Sequence, residues 1–212
     1  LPGDFILRFM TSHPKDASRK LFDTMASSPK IAKHIHLPFQ AGNDRVLKAM
    51  NRHYNSAQYL ELVDYARKVM PDIVLTSDVI VGFPGETEEE FCESMAFVQR
   101  IGFLKAHVFP YSRRAGTPAA DFPDQIPEEE KARRVHRMQT AADATRDALI
   151  ARMAGNRAEV LLETPLSSSL FTGYTKLYVP VVVSAPGHKS GEILPVTLGE
   201  FDGQRCRAEL AL

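Results

Sequence analysis

The stretch Ile73–Val81 is nearly all apolar and runs without a break into Gly82-Phe83-Pro84-Gly85-Glu86-Thr87-Glu88-Glu89-Glu90-Phe91. A strand that is apolar on both faces must be covered on both, which is the situation of a parallel sheet under helices. The glycine-punctuated turn then opens a helix, and Thr87 and Glu90 are spaced as a capping box. Strand, tight turn and capped helix in this order make a βα unit, and the first two-thirds of the chain repeat that grammar four times. Strands are expected at Phe5–Met10, Lys33–Leu37, Ile73–Val81 and Ala106–Phe109. Helices are expected at Ser18–Met25, Asp44–Asn51, Ser56–Val69 and Glu88–Ile101, the last two with apolar residues at three- and four-residue spacing.

After Gly116-Thr117-Pro118, a proline-rich passage leads to Pro127-Glu128-Glu129-Glu130, which opens a long helix with proline at its first position and acids in its first turn. Gly155 is expected to end it. Val135, Met138, Ala142, Thr145 and Leu149 form an apolar stripe along it, the mark of a packing face. From Asn156 the pattern changes to short strands separated by glycine and proline: Ala158–Leu162, Leu177–Val183, Ile193–Leu198 and Arg207–Leu210, with Gly173-Tyr174-Thr175 between the first two. That pattern reads as a small β-barrel. The expected architecture is therefore α/β, with residues 1–153 as a partial βα barrel and residues 154–212 as a small all-β barrel. A unit of roughly sixty residues is marginal alone, so the long helix is expected to anchor it.

Composition narrows the function classes. The 212 residues are 44% hydrophobic, enough for one ordinary core and a second small one. No run approaches the ~18 apolar residues of a membrane span, and LPGDFILRF has neither a basic leader nor a cleavage site. Cys92 and Cys206 are far apart and beside polar residues, which suits a reducing compartment and implies a cytoplasmic home. The chain opens without Met, on Pro2-Gly3 just before an apolar run, so a missing upstream segment is expected. Lysine plus arginine total 26 and aspartate plus glutamate 26, which excludes a protein that holds nucleic acid by net charge alone. The tail from Met153 is also near neutral, with five basic and six acidic residues. Any RNA contact must be local: Arg157, Lys176, Lys189, Arg205 and Arg207 either gather on one barrel face or remain a dispersed, solvated surface.

Three segments carry chemistry. In the first, Gly82 and Gly85 let backbone approach a ligand, and in βα barrels the C-terminal strand ends form the site. Three glutamates in the first helical turn would repel an anion and no Walker lysine is present, so a neutral or cationic ligand fits better than phosphate. Asp78 inside an apolar strand requires a basic partner or a polar barrel lumen. In the second, His36-Leu37-Pro38-Phe39-Gln40-Ala41-Gly42-Asn43-Asp44-Arg45-Val46-Leu47-Lys48-Ala49-Met50-Asn51-Arg52, Gln40 offers donor and acceptor at a strand end, and Asn43 or Asp44 can cap the helix. Arg45 and Arg52 read as solvated surface. His34 and His36 alternate onto one strand face, but with no third ligand a metal site is not expected and packing is. In the third, Phe109-Pro110-Tyr111-Ser112-Arg113-Arg114-Ala115-Gly116-Thr117-Pro118-Ala119, the two arginines could hold a carboxylate or phosphate, or could simply be exposed.

Taken together and in this order, these segments resemble the radical S-adenosylmethionine (SAM) methylthiotransferases, whose patterns read HLPxQSGSDxVLKxMNR, DxIVGFPGETEEDF and YSxRxGTxA. The likeness begins at Arg8-Phe9-Met10-Thr11-Ser12-His13-Pro14 and runs through the long helix, and the β-tail is similar to the family's RNA-binding TRAM domain. The resemblance implies the last four βα units of a six-unit partial barrel, with Gln40, Asp78, Gly82, Phe83, Gly85 and Glu86 around the cofactor S-adenosylmethionine and Arg114 near its polar end. The family inserts a methylthio group by way of a 5′-deoxyadenosyl radical, using a 4Fe–4S cluster on a CxxxCxxC loop. That loop cannot be built from Cys92 and Cys206, so the clusters belong to the full-length protein, no catalytic or metal-ligating residue is assigned here, and the chain alone is expected to be inactive. The implied partners are the missing N-terminal part of the protein and a tRNA anticodon loop, at position ~37.

Two departures from the family pattern stand out. Gln40-Ala41-Gly42-Asn43 replaces QSGS and removes two hydroxyls. The front of the chain looks like the branch acting on isopentenyladenosine. Lys105-Ala106-His107-Val108-Phe109-Pro110-Tyr111-Ser112 and Gly173-Tyr174-Thr175 are more like the threonylcarbamoyladenosine enzymes, and the expectation leans to the latter. The rival reading is a non-catalytic RNA-binding module. A phosphate-binding barrel enzyme is disfavoured by the acidic helix start.

Overall fold

The computed structural model describes residues 2–3, 5–10 and 13–211. Its middle strand, β2 (Val74–Val81), pairs in parallel with β1 (His34–His36) on one side and β3 (Lys105–Pro110) on the other. Alternate residues of a strand face opposite ways. Leu75, Val79 and Val81 of β2 are buried in one core with Tyr59 and Val63 of α3 (Ser56–Val69), Phe91 and Val98 of α4 (Glu88–Ile101) and Met138 of α5 (Glu128–Ala151). Thr76 and Asp78 occupy the alternate positions and meet histidines of β1. Buried Ser77 stitches the chain beyond β1 onto β2: its hydroxyl donates to Leu37 O (2.7 Å) and accepts from the Phe39 N–H (2.9 Å).

The helix starts are chemically specified. Ser18 before α1 (Arg19–Ser27), Asn43 before α2 (Asp44–Ala49), Asn55 and Thr87 each accept a hydrogen bond from the backbone N–H three residues on. Thr87 and Glu90 close the expected capping box, and Asn55 and Gln58 close a second.

One expected strand is not laddered. Phe5–Met10 touches the sheet only through isolated bridges, Leu7 to Ile31 and Met10 to His36, so the sheet has three strands where four were expected. Backbone hydrogen bonds run to one side alone, and Phe9 packs against the core while Leu7 is 49% and Met10 74% exposed, so little burial holds the segment in register. Thr11 and Ser12 of the Arg8–Pro14 motif lie outside the described residues.

The tail closes into a barrel in the order β4-β5-β6-β8-β7, formed by β4 (Arg157–Pro165), β5 (Leu170–Thr175), β6 (Pro180–Ser184), β7 (Ile193–Phe201) and β8 (Cys206–Leu210). It has five strands, because Gly173-Tyr174-Thr175 lies within β5 and is not a connection. A Cβ on Gly173 would meet Leu161 O at 1.9 Å, so this glycine marks a close approach of two backbones, not a turn. Val160, Leu162, Val181, Val196 and Cys206 fill the interior, and Ile150 of α5 joins the same cluster together with Val74 and Leu104. Burying Ile150 contributes roughly 1.5–3 kcal/mol. Val74 and Leu104 stand at the starts of β2 and β3, so the barrel docks at the N-terminal strand ends and leaves the C-terminal ends open. Among the described residues, no helix is long and apolar enough to cross a membrane.

Gly173→Ala is expected to destabilise the barrel by roughly 1–3 kcal/mol, since a methyl must displace the Leu161 carbonyl. An unchanged urea midpoint would contradict the close approach of β4 and β5.

Candidate functional site

At the C-terminal strand ends, three turns surround a cavity of about 660 Å³ lined by Gln40, Arg52, Asp78, Phe83, Tyr111 and Arg114, among others. Gln40 is held there by its own backbone: its N–H donates to Asp78 O (3.0 Å) and its carbonyl accepts from the Ile80 N–H (2.9 Å). These bonds come with a φ of +68°, a left-handed conformation that costs a non-glycine residue energy and is kept where the surroundings impose it. The side chain is nearly buried, yet its amide makes no hydrogen bond to any described residue. A donor and an acceptor therefore face the cavity unused. Phe83 stands edge-on to Tyr111 (5.2 Å between ring centres) and to Phe122 (6.1 Å), giving an aromatic wall. Asp78 accepts from His36 Nε2 at 3.3 Å, the basic partner its position demanded. Arg52 and Arg114 have no ion-pair partner among the described residues, whereas Arg113 reaches Asp121 at 4.0 Å.

The turn after β2 is built from within. Gly82 and Gly85 have φ of +71° and +72°. The Gly82 N–H donates to Glu86 Oε2 (2.6 Å), and Arg134 Nη1 donates to the same oxygen (2.8 Å) and to Glu86 O (3.0 Å). A Cβ on Gly82 would meet Lys131 Cγ at 2.3 Å, and Lys131 Nζ donates to Tyr111 O (3.0 Å). From the outside, Arg45 donates to Gly85 O (2.6 Å) and pairs with Glu90, which holds the Glu90 carboxyl below its ordinary range. Burial pushes the Glu86 carboxyl up, although Gly82 and Arg134 pull the other way, and its Oε1 has no partner among the described residues.

The structure thus brings Gln40, Asp78, Phe83 and Arg114 to one cavity. Gly82, Gly85 and Glu86 shape the turn beside it, and the Glu86 carboxylate is buried against α5. His34 and His36 share the Thr76 hydroxyl (3.1 and 3.0 Å). Burial first, then the Arg8 and His36 charges, bring the His34 pKa down to about 4. Among the described residues no group of three His, Cys, Asp or Glu side chains could hold a metal ion.

The five barrel cations do not form a single cluster: Arg157 and Lys176 line one hollow, while Lys189 and Arg205 stand at opposite ends of a strand. Lys189 lies before β7 and Arg205 after it, so a nine-residue strand of roughly 27 Å separates them. Lys176 pairs with Glu159, and Asp202 accepts the Arg205 N–H (2.8 Å).

Three site residues escaped the sequence reading. Arg52 follows α2, which stops at Ala49, and so turns to the cavity instead of lying on a helical face. Lys131 and Arg134 continue the spacing of Val135, Met138 and Ala142 one turn toward the helix start. That periodicity was the available signal, masked by their charge.

A parallel sheet carrying its cavity at the C-terminal strand ends defines the class of partial βα-barrel proteins. Residues 2–98 match the radical SAM superfamily. Coproporphyrinogen III oxidase of Escherichia coli, a radical SAM enzyme, superposes with a TM-score of 0.51 at 19% identity, covering 64% of this chain and 31% of that one. The tRNA-2-methylthio-N(6)-dimethylallyladenosine synthase of Desulfitobacterium hafniense (strain Y51) is 40% identical over 99% of this chain and 48% of its own length. Those of Lachnoclostridium phytofermentans and Bordetella petrii are 44% and 38% identical over 93% and 100% of the chain, and 44% of each relative. The chain spans about half the length of the curated relatives it matches. It belongs to the radical SAM methylthiotransferase family.

The lean toward threonylcarbamoyladenosine finds no support, since all three relatives carry the dimethylallyladenosine name. The geometry gives a reason. Gly173 is required by the Leu161 carbonyl, and the Thr175 hydroxyl accepts the Leu177 and Val179 N–H groups, so hairpin construction is enough to account for Gly173 and Thr175.

Arg134→Met leaves Glu86 buried and uncompensated, with an expected loss of about 3 kcal/mol at neutral pH. A buried carboxyl with a raised pKa favours the protonated form, so stability is regained below the folded pKa and lost as pH rises through it. The deficit in thermal unfolding should therefore be smaller at pH 5 than at pH 8; a pH-independent deficit would refute the pairing.

Proposed function

We propose that this chain is the cofactor-binding and RNA-facing part of a tRNA methylthiotransferase that acts on N6-dimethylallyladenosine (isopentenyladenosine) in the anticodon loop, in the cytoplasm. The observation that carries this is the cavity: an amide and two guanidiniums without side-chain partners among the described residues, a carboxylate and an aromatic wall within one space of ligand size. S-adenosylmethionine has a matching set of parts. Its adenine has donor and acceptor edges for Gln40 and a face for Phe83. Its sulfonium and ammonium are cations for Asp78, and its carboxylate is an anion for Arg114, with Arg52 beside it. Gly82, Gly85 and Glu86 act one step back, by holding Phe83 in place.

When bound, the cofactor supplies the radical and the methyl group of methylthiolation; the residues here orient it and restrict water. The 4Fe–4S cluster does not fit this chain. Cys92 is exposed on α4, Cys206 is buried inside the barrel, and the sequence has no third cysteine. The cluster ligands come from elsewhere in the active protein, and residues 1–212 alone are proposed to be inactive, with residues 1–153 binding cofactor and residues 154–212 meeting RNA. The cations Arg157, Lys176, Lys189, Arg205 and Arg207 would then contribute phosphate contacts. A non-catalytic RNA module would have no use for the free amide of Gln40.

In cells lacking the full gene, mass analysis of tRNA nucleosides should show dimethylallyladenosine without its 2-methylthio group. A methylthio group kept there and lost from threonylcarbamoyladenosine would overturn the substrate. For the cavity, calorimetry should find that Gln40→Ala and Arg114→Ala each weaken S-adenosylmethionine binding about tenfold, equivalent to about 1.4 kcal/mol. Unchanged affinity in both would remove these residues from the site.

A further inference from the structure

The open face of the sheet carries a row of hydrogen bonds from the barrel to the cavity. His34 Nε2 lies 3.1 Å from Thr76 Oγ1, which lies 3.0 Å from His36 Nδ1, and His36 Nε2 lies 3.3 Å from Asp78 Oδ2. The Asp78 carboxylate lines the cavity. At the other end the His34 ring stacks on Tyr178 of the β5–β6 hairpin, with ring centres 5.4 Å apart and planes 25° apart. Tyr178 is held from two more sides, stacked on Tyr174 (4.8 Å) and with the Arg8 guanidinium 5.2 Å from its ring centre. Arg8 in turn donates to Thr175 O (3.1 Å) and Lys176 O (2.6 Å) of the hairpin. Tyr178 has a φ of +67°, a conformation that a bulky residue keeps only where its surroundings impose it.

Donor and acceptor chemistry gives the row a direction. A carboxylate only accepts, so His36 Nε2 carries hydrogen toward Asp78. In neutral His36 the other nitrogen, Nδ1, is then an acceptor and takes the Thr76 hydroxyl proton. The Thr76 oxygen is left to accept from His34 Nε2–H. Each group therefore constrains the state of the next, and the ring at the barrel end of the row is the one stacked on Tyr178.

We propose that His36 is a positioning residue for the adenosyl ligand: the barrel hairpin at Tyr178 sets the His34 ring, Thr76 passes that setting to His36, and His36 aims the Asp78 carboxylate into the cavity. Seating of the barrel and occupation of the cavity are then coupled, and reciprocally so. This rests on the reading of the cavity as an S-adenosylmethionine site.

The test combines calorimetry of S-adenosylmethionine binding with histidine ring-nitrogen NMR on the 212-residue chain. Thr76→Val keeps the shape and removes the hydroxyl, and Tyr178→Ala removes the stack. Each should weaken binding three- to tenfold and shift the His36 ring nitrogens, whereas Thr76→Ser and Tyr178→Phe, which keep hydroxyl and ring, should behave as wild type. Wild-type affinity with unshifted His36 signals in both Thr76→Val and Tyr178→Ala overturns the inference, as does equal loss in Thr76→Ser. Should Tyr178→Ala fail to fold, the Thr76 pair decides alone. A wild-type chain that takes up no S-adenosylmethionine overturns the cavity reading and the ligand half of this inference, and the ring-nitrogen shifts still decide the coupling.

Discussion

One buried ion pair ties the molecule together. Arg134 of α5 donates to both the carboxylate and the backbone of Glu86, and Glu86 in turn accepts the Gly82 N–H that closes the turn after β2. Burying two charges costs more than most ion pairs return, so its value lies in specificity and not in raw stability. Only one placement of α5 satisfies both charges. The same helix sends Ile150 into the barrel core sixteen residues later, so the geometry of the turn also determines where the barrel sits.

The division of labour along β2 follows from its pleat. One set of side chains, Leu75, Val79 and Val81, is fully committed to the core. The other set runs from Val74, buried against the barrel, through Thr76 and Asp78, which meet the histidines of β1, to Ile80 at the cavity. A central strand can carry a carboxylate only because the opposite face supplies the burial that holds the sheet together. The cavity therefore has a rigid floor, while its walls come from turns of which the first is strained at Gln40 and the second is locked by Lys131 and Arg134.

Much of the fold was legible in the chain. Apolar spacing announced α3 and α4 to the residue, and the apolar run announced β2 as a strand, although only one of its faces is packed into the core and the other carries Thr76 and Asp78. Local patterns failed where pairing is non-local. Phe5–Met10 has the composition of a strand but touches the sheet only at isolated bridges, and β5 hid behind a glycine whose reason is the Leu161 carbonyl of another strand. Of the site, Gln40, Asp78, Phe83 and Arg114 were visible through their motifs and do share a cavity. Arg52 was not, because α2 stops three residues before it, and Lys131 and Arg134 were not, because a charged residue on an amphipathic pattern reads as solvent-facing until its packing is known.

By itself, the sequence determined the class of structure, because capping, periodicity and glycine spacing act over a few residues and survive without a partner, and its three motifs carried the resemblance to the family. What only the tertiary structure decided was which groups meet. Glu86 pairs with Arg134, Tyr178 of the β5–β6 hairpin reaches His34 of β1, and Lys189 and Arg205 lie at opposite ends of β7. Those outcomes depend on distances between residues far apart in the chain, and charge or hydrogen-bond complementarity is expressed only once packing has set those distances.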